Sequence, residues 1–498
     1  MVLEREKIIL IIAFFSGCVV MAMEIAAARL LAPFFGTSVF VWTNIIGVVL
    51  AALSIGYYFG GKLSENEPSL RKLLKIIFIA GWLCFLTPFV IRFLSEIILS
   101  LFGSFGSSYV FVGSFISAGL LFGLPLGLLG MVSPYLIKLA TISDIHTGSV
   151  SGKIFAWSTI GSILGTFLPT LVFIPNFGTR ATIVIFSGIL ILLGSFGKRF
   201  SVLSLIIIVG MVNLFSGPLK GTQGLIAEKD STYQYIQVLE GYGGTKYIST
   251  NEGLGVQSVY HPDRAETGAY YDFFTLLPYV LHKGQKIDVL IIGLSGGSAA
   301  RGLRQEFGEQ INIDAVEIDE QMTEFARQYF DLDASRVNVF HEDGRQFVKF
   351  TDKTYDIIYV DAYQNEFTIP WTLATEEFWE SVKEKMKPHG MTVMNINAPS
   401  ESSKLYEALT NTMAKIFSHT TSFNFGGESL NFLVTGSRED QNFGKLRNAR
   451  SDYLKKLANR IVPVARNVNF ETNKLVLTDD KAPVEFLTET VLYDTLRK

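Results

Sequence analysis

A glycine-rich turn and an acidic residue in the second half of the chain have the spacing of a nucleotide site. Gly293, Gly296 and Gly297 follow the apolar run Asp288–Ile292, and Glu317 ends the next apolar run, 20 residues after Gly297. Glycines allow the backbone to approach a ligand closely. A carboxylate at this spacing can accept hydrogen bonds from both hydroxyls of a ribose. We therefore expect these four residues to bind a nucleoside.

Two further acids occupy equivalent places, because Asp343 follows the third apolar run and Asp361 ends the fourth. The glycine-rich run lacks the Lys of a P-loop and does not match Gly-x-Gly-x-x-Gly, which favours S-adenosylmethionine or a relative over ATP or a nicotinamide. A sulfonium is already activated, so the protein need only position a nucleophile and accept its proton. An alkylamine, with a pKa of about 10.4 in solution, carries such a proton. Asp361 is the predicted proton acceptor.

The elements that must position these residues alternate between strands and helices. Predicted strands cover Asp288–Ile292, Ile311–Val316, Val337–Phe340, Asp356–Val360 and Met391–Ile396, and predicted helices cover Ser298–Phe307, Asp319–Phe330, Gly344–Lys349, Glu376–Lys387 and Ser402–Ile416. This alternation predicts a mostly parallel, methyltransferase-like Rossmann sheet, with antiparallel strands near Thr421–Phe425 and Asn431–Gly436 at its edge. Ligands of such sheets bind beyond the carboxyl ends of the strands, where the acids lie.

A small β lead-in and one helix precede this core. Residues 233–239 and 255–260 alternate with period two between turn-forming residues, which is typical of strands. A helix is expected over Gly268–His282.

The first half of the chain has a different composition. A mean hydropathy of +0.32 is too high for a purely soluble protein, and the apolar runs are confined to Ile8–Ser216. We expect a polytopic membrane domain over residues 1–219 and a catalytic domain over 220–498, with the lead-in at 228–262 and the core at 268–440. A span needs roughly 20 apolar residues. About seven segments qualify: Ile8–Leu31, Phe40–Gly61, Leu73–Ile91, Tyr109–Gly130, Ser151–Phe173, Ala181–Phe196 and Phe200–Phe215.

Cationic residues collect in alternate connections between these segments. They are Arg5 and Lys7, then Lys62, Arg71, Lys72 and Lys75, then Lys138 and Lys153, and finally Lys198 and Arg199. The positive-inside rule makes this face, and the N-terminus, cytoplasmic. Seven spans would then place the catalytic domain outside, away from a cytosolic nucleoside. Either the count is wrong or the domain is external, and the need for the nucleoside favours a cytoplasmic domain in the cell membrane.

Composition and spacing exclude several other classes of function. A net charge of -3 offers no basic surface for a phosphate backbone, so nucleic acid is not an expected partner. Cys18 and Cys84 lie in apolar runs, far from each other and from any His. The six His have no metal-ligand spacing, so we expect no metal. The expected partners are the lipid bilayer and a small amine acceptor, and a homo-oligomer remains open.

The motifs of the second half resemble those of the spermidine/spermine synthases, the polyamine aminopropyltransferases. The resemblance rests on Ser231-Thr-Tyr-Gln234-Tyr-Ile-Gln-Val238, on Gln257, on Tyr270 in Ala-Tyr-Tyr-Asp272-Phe-Phe, on Glu317, on Asp343-Gly344 and on Asp361. It implies that Gln234, the glycine turn, Glu317, Asp343 and Gly344 bind the co-substrate, decarboxylated S-adenosylmethionine. It also implies that Gln257, Tyr270, Asp272 and Gln364 face the acceptor and that Asp361 is catalytic. The first half is similar to multi-spanning versions of the family in Met23–Pro33, Gly56–Leu63 and Gly130–Tyr135.

Three departures from the family pattern leave alternatives open. Gly296 stands where the family has an Asp that selects the decarboxylated co-substrate, Gln364 replaces a second Asp, and Tyr271-Asp272 replaces His-Glu. A lost charged hydrogen bond weakens recognition by roughly 1.5 to 3 kcal/mol. The first hypothesis is transfer of a propylamine group to an amine such as putrescine. The alternatives are transfer of a methyl or carboxyaminopropyl group from S-adenosylmethionine to a membrane-borne acceptor, and a polyamine transporter or sensor with a regulatory synthase-like domain.

Overall fold

The chain folds into two compact units, described here from a computed structural model. The described residues are 2–65, 68–102, 108–141, 147–195, 217–253, 255–281, 285–333, 335–364, 368–425 and 430–488. The first unit comprises Met1–Gly221 with Lys229–Tyr235, and the second comprises Thr222–Glu228 with Ile236–Lys498.

The described apolar runs of the first unit are helical. Its helices are α1 (Val2–Phe35), α2 (Val39–Glu65), α3 (Leu70–Phe102), α4 (Ser108–Ala118), α5 (Leu124–Gly130), α6 (Val132–Thr141), α7 (Thr147–Leu168) and α8 (Ile174–Gly194). One π-helical turn joins α4 to α5 and another joins α7 to α8. Within the described residues, five helical stretches are long and apolar enough to cross a membrane.

The fifth of these stretches, Gly148–Gly194, is 47 residues long and contains two of the predicted spans. A helix of that length would extend about 70 Å, more than twice the hydrocarbon thickness. At Gly178 the backbone leaves the helical conformation (φ +80°, ψ +167°), a combination that glycine adopts without steric cost. Gly178 therefore divides the stretch into two helical segments. The predicted span Phe200–Phe215 lies outside the described residues.

Close helix contacts hold the first unit together, and small residues permit them. A Cβ atom at Gly161 or Gly165 of α7 would collide with the backbone carbonyls of Phe14 and Cys18 in α1. Lys153, earlier in α7, pairs with Glu6 at 2.9 Å. Residue numbers increase in the same direction along these contacts in both helices, so α1 and α7 run parallel. Close packing through glycines is common between membrane helices.

The second unit begins with a four-stranded sheet in the order β1-β2-β3-β4. These strands are β1 (Leu225–Asp230), β2 (Tyr235–Glu240), β3 (Lys246–Thr250) and β4 (Ser258–Tyr260). Ile236, Val238 and Ile248 form an apolar cluster on one face of this sheet with Phe325 and Phe330. The predicted β lead-in is confirmed.

The main sheet has eight strands in the order β12-β10-β11-β9-β8-β5-β6-β7. They are β5 (Ile287–Ile292), β6 (Ile311–Val316), β7 (Val337–Phe340), β8 (Tyr355–Val360), β9 (Met386–Asn397), β10 (His419–Asn424), β11 (Asn431–Ser437) and β12 (Arg466–Asn467). Strands β9, β8, β5, β6 and β7 pair in parallel, and β11, β10 and β12 pair antiparallel. The predicted fold class, helical bundle plus methyltransferase-like sheet, is confirmed.

Helices connect the parallel strands and cover the sheet. They are α9 (Tyr271–Leu276), α10 (Pro278–Leu281), α11 (Ser298–Phe307), α12 (Glu320–Tyr329), α13 (Gly344–Phe350), α14 (Glu376–Lys385), α15 (Lys404–Ile416) and α16 (Asp452–Ile461). Their apolar residues recur at helical spacing; in α11, for example, Ala300, Leu303 and Phe307 are buried. The helix expected over Gly268–His282 is divided at Pro278, and its last residue lies outside the described part of the chain.

Candidate active site

The strand order changes direction between β5 and β8, and the predicted chemical residues meet at that edge. Ile292 pairs with Val316 of β6 on one side and with Val360 of β8 on the other. Gly293, Glu317 and Asp361 are the residues that follow these three strands. In parallel sheets such a switch point is where a ligand finds a crevice.

The glycine turn after β5 adopts a conformation that requires glycine. Gly293 has φ +90°, and a Cβ atom there would collide with the carbonyl of Asp361. Gly297, with φ +80°, is the residue from which α11 begins. Gly296 is enclosed, since a Cβ atom would lie 2.7 Å from Ser258 and 3.0 Å from Phe330. The position that holds an acid in the family motif therefore has no space for a side chain here.

Glu317 is a buried acid that faces the glycine turn. Its carboxylate accepts hydrogen bonds from the backbone N–H groups of Leu294 (3.2 Å), Ser295 (2.9 Å) and Asp319 (3.1 Å). Burial raises the pKa of Glu317 to about 7, although these hydrogen bonds favour the ionised form. Glu317, the residue predicted to bind the ribose, is thus in direct contact with the predicted glycine turn.

Asp361 lies at the end of β8 with two hydrogen-bond donors on its carboxylate. The Tyr270 hydroxyl lies 3.2 and 3.0 Å from the two oxygens, and Asn395 Nδ2 donates to Oδ1 at 2.9 Å. Burial raises the pKa of Asp361 to about 7, and the hydrogen bonds from Asn395 and Tyr270 lower it in part. A carboxylate with this pKa is a far stronger base than an exposed Asp and exchanges protons near neutral pH.

An amide cluster beside Asp361 was not predicted from the sequence. Asn431 Nδ2 of β11 donates to Asn395 Oδ1 at 3.0 Å and to Asn397 Oδ1 at 2.5 Å. The Tyr363 hydroxyl donates to the Asn395 carbonyl at 2.9 Å and accepts from the Asn397 N–H at 3.2 Å. A period-two pattern of Asn at 395 and 397 was the sequence signal that could have identified this face of β9.

Asp272 lies near the site but its carboxylate is fully engaged. It accepts from the backbone N–H of Thr267 (2.8 Å) and Gly268 (2.8 Å), and from the hydroxyls of Thr267 (2.9 Å) and Tyr453 (2.8 Å). The neighbouring Tyr271 hydroxyl donates to the Val256 carbonyl at 2.9 Å. In this structure these contacts fix the loop before α9. The acceptor-binding role expected for Asp272 stays a prediction.

Two glutamines predicted to face the acceptor, Gln257 and Gln364, make backbone hydrogen bonds in this structure. Gln257 precedes β4 and donates its N–H to the Ile248 carbonyl at 2.8 Å. Gln364 is exposed and pairs through its N–H with the Thr368 carbonyl.

The two residues expected at the adenine, Asp343 and Gly344, lie at the start of α13. There the Asp343 carboxylate caps the helix by accepting from the Gln346 N–H at 2.9 Å. Gln234 precedes β2 in a turn closed by Ser231. The binding roles expected for Gln234, Gln257, Gln364 and Asp343 stay predictions.

Within the described residues, no group of three or more His, Cys, Asp and Glu side chains is arranged to hold a metal ion. Cys18 and Cys84 are buried and free.

Comparison with known proteins gives the family. A family model described as the spermine/spermidine synthase domain matches residues 268–425. A probable polyamine aminopropyl transferase of Bifidobacterium longum (strain NCC 2705) is 34% identical over 286 residues, which cover 53% of this chain and 62% of that protein. The polyamine aminopropyltransferase of Vibrio vulnificus (strain CMCP6) is 30% identical over 221 residues, 43% of this chain and 72% of that protein.

A third relative is similar along both units. Polyamine aminopropyltransferase 2 of Aquifex aeolicus (strain VF5) is 22% identical over 463 residues, 86% of this chain and 87% of that protein. The mostly parallel sheet, with acids at its switch point, is a methyltransferase-like Rossmann fold. The chain belongs to the spermine/spermidine synthase family of polyamine aminopropyltransferases, while its match spans less than two thirds of the first of these relatives.

The raised pKa of Asp361 predicts how stability depends on pH. Because the folded-state pKa of about 7 exceeds the ordinary value of 3.8, the acid destabilises the fold increasingly as pH rises from about 4 to about 7. At about 1.4 kcal/mol per unit, Asp361→Asn should stabilise the ligand-free protein by about 2–4 kcal/mol at pH 8 and have little effect at pH 4. Melting of the purified full chain, followed by tryptophan fluorescence, measures the difference.

Asp288, at the opposite end of β5, provides a control of opposite sign. Burial opposes its ionisation, but hydrogen bonds from Lys387 and Asn312 hold its pKa below the ordinary value. Asp288→Asn should therefore lower the melting temperature at pH 8. Equal melting shifts at pH 4 and pH 8 for Asp361→Asn would contradict the burial argument.

Proposed function

We propose that the protein is a membrane-bound polyamine aminopropyltransferase. In this reaction the nitrogen of an acceptor amine, such as putrescine, attacks the propyl carbon bound to the sulfonium of decarboxylated S-adenosylmethionine. The new C–N bond forms as the C–S bond breaks, methylthioadenosine leaves, and the nitrogen loses one proton. Asp361 accepts that proton.

The observation that carries this proposal is the environment of Asp361. Its carboxylate follows β8 at the switch point, adjacent to the glycine turn, and its pKa is raised to about 7 by burial. A base with a pKa near the working pH combines a large ionised fraction with useful basicity. The Tyr270 hydroxyl contacts both carboxylate oxygens and so restricts rotation of the carboxylate.

The carboxyl groups of the site also fit the co-substrate. Its sulfonium supplies an activated carbon and a positive charge. Glu317, which is buried, and Asp361, which is partly buried, lie at the same sheet edge, and a nearby cation would stabilise their ionised forms. Glu317 has the place and the acceptor oxygens for a ribose diol. Its present hydrogen bonds from Leu294 and Ser295 tie that acid to the turn that must approach the nucleoside.

The enclosed Gly296 favours a second candidate reaction. Because that position has no space for a carboxylate, nothing there repels the carboxylate of ordinary S-adenosylmethionine. The same site would then transfer a methyl or carboxyaminopropyl group from S-adenosylmethionine, with the acceptor located in the membrane.

The products distinguish these reactions. Purified protein is incubated with either co-substrate and a mixture of amines, and the released nucleoside is identified by mass. We expect methylthioadenosine and an aminopropylated amine from decarboxylated S-adenosylmethionine. S-adenosylhomocysteine would establish methyl transfer, and methylthioadenosine from the ordinary co-substrate would establish carboxyaminopropyl transfer. Absence of every product, with polyamine crossing a reconstituted bilayer, would favour the transporter hypothesis.

Two substitutions separate proton transfer from nucleoside binding. Asp361→Asn removes the proton acceptor and should lower kcat by at least 100-fold while the dissociation constant of the co-substrate changes little, because general-base catalysis contributes about 10²–10⁴. Glu317→Ala should instead weaken co-substrate binding by 10-fold or more, since it removes charge-assisted hydrogen bonds. Steady-state kinetics measures kcat, and isothermal titration calorimetry measures the dissociation constant of the co-substrate. Full activity of Asp361→Asn would refute the proton-acceptor role.

We further propose that the first unit spans the cell membrane and that the second unit lies on its non-cytoplasmic side. Within the first unit, the cation-rich helix ends lie together: Lys153 pairs with Glu6, the Ser69 N–H donates to the Tyr135 hydroxyl, and Gly194 packs on Leu74. By the positive-inside rule this end is cytoplasmic.

The last residues of the first unit lie at the opposite end. Lys220 Nζ is 5.8 Å from the ring of Phe34, near the end of α1, and Gly221 lies against the Arg92 guanidinium. Arg180 donates to the Gly217 carbonyl at 2.6 Å. Gly221 continues directly into Thr222, where the second unit starts. The position of Gly221 within the first unit supports the external alternative. The proposed reaction then requires the co-substrate to be present on the non-cytoplasmic side.

Cysteine labelling tests the sidedness. Cys18 and Cys84 are buried in candidate spans, so the background is low. In intact spheroplasts a membrane-impermeant maleimide should label Tyr242→Cys, at a fully exposed position of the second unit, but should label Lys62→Cys only after permeabilisation. Labelling of Tyr242→Cys only after permeabilisation would instead place the second unit in the cytoplasm.

A further inference from the structure

We propose that Asn431 and Asn395 form a positioning relay that aims and ionises the carboxylate of Asp361 for proton transfer. The inference rests on the proposed function, because it assigns these amides a role through the proposed proton acceptor. Neither residue was expected in the site from the sequence.

Strand pairing brings the three residues together. Val360 of β8 pairs with Met394 of β9, so the next residues, Asp361 and Asn395, are neighbours. Asn431, the first residue of β11, pairs with Asn397 of β9 in the antiparallel register. The relay therefore joins three adjacent strands across the end of the sheet.

The direction of each hydrogen bond determines what the relay does. Asn431 Nδ2 donates to Asn395 Oδ1 at 3.0 Å, and Asn395 Nδ2 donates to Asp361 Oδ1 at 2.9 Å. A carboxylate only accepts hydrogen bonds, whereas an amide presents a donor at one end and an acceptor at the other. By occupying the oxygen of Asn395, Asn431 keeps its NH₂ group turned towards Asp361.

The surroundings leave Asn395 few other arrangements. Asn395 is 2% exposed, its backbone carbonyl accepts from the Tyr363 hydroxyl at 2.9 Å, and Asn431 is itself tied to Asn397. Without Asn431 the Asn395 amide can rotate by half a turn and direct its oxygen at Asp361. That arrangement replaces a charge-assisted hydrogen bond by a repulsive contact.

Burial favours the protonated form of Asp361, whereas the hydrogen bond from the relay favours the ionised form. The titratable groups that face this carboxylate are the phenols of Tyr270 and Tyr271 beside α9 and of Tyr363 after β8, while β9 contributes the neutral amide of Asn395. None of these supplies a positive charge. The donation from Asn395 therefore has no cationic substitute among the described neighbours, and its loss should raise the pKa of Asp361.

The test compares Asn395→Ala, Asn431→Ala and the double variant. A hydrogen bond to a charged group contributes roughly 1.5–3 kcal/mol, so the acidic limb of kcat/KM should move up by about one to two pH units in Asn395→Ala. The kcat/KM of Asn395→Ala should be lower than that of the unmodified protein by about tenfold or more at pH 6, and this difference should largely disappear at pH 9. Asn431→Ala should shift the limb in the same direction, and the double variant should match Asn395→Ala because Asn431 acts through Asn395.

Thr435→Val is the matched control. Thr435 lies in β11 and its hydroxyl donates to the Thr421 carbonyl at 3.2 Å, away from Asp361. This variant should lose stability, as judged by its melting temperature, without moving the pH profile. Additive shifts of Asn395→Ala and Asn431→Ala, or an unshifted limb in Asn395→Ala with normal folding, would overturn the relay.

A second measurement separates the relay from the proposed reaction. Infrared difference spectra of the full chain record protonation of the Asp361 carboxyl group as pH is lowered, with Asp361→Asn identifying its band. The midpoint should rise in Asn395→Ala and Asn431→Ala. If no co-substrate is consumed by the unmodified protein yet this midpoint rises, the proposed reaction fails and the relay stands. An unchanged midpoint in an active enzyme refutes the relay alone.

Discussion

The parallel pairing of β8 between β5 and β9 is the constraint on which the site depends. Ile292 pairs with Val360, and Val360 pairs with Met394. This pairing brings three groups to the same edge of the sheet. They are the glycine turn after β5, the carboxylate of Asp361 and the side-chain amide of Asn395. The buried apolar strands hold this alignment, since a shift of one residue would exchange the two faces of each strand.

Much of this edge can be predicted from the sequence because it depends on local patterns. The apolar strands are short and regularly separated by amphipathic helices, and an acid at the end of such a strand has a nearly fixed place. Glu317 and Asp361 were located in this way. The amide cluster was not, because the meeting of Asn395 with Asn431 depends on the antiparallel register of β11 against β9. Nothing in the local sequence specifies that register.

The first unit shows the same division between local and long-range information. Apolar length predicts helices, and the apolar runs in the described part of this unit are helical. The backbone turn at Gly178 and the π-helical turns depend on how each helix packs against its neighbours. The close approach of Gly161 and Gly165 to α1 likewise follows from pairing of distant segments. Small residues alone suggest such contacts without identifying the partner.

Glu317 and Asp361 also connect the affinity of the site with its chemistry. Without a cation nearby, burial holds the pKa of both Glu317 and Asp361 at about 7, so a fraction of each is protonated at neutral pH. A positive charge bound between them would lower both pKa values and complete their ionisation. Asp361 would then be ready to accept a proton when the activated carbon is in place. Under the proposed function, binding of the charged co-substrate would therefore complete the ionisation of Asp361 before the proton is transferred. This is a reason to retain two carboxyl groups that lack a cationic partner at a cost to stability.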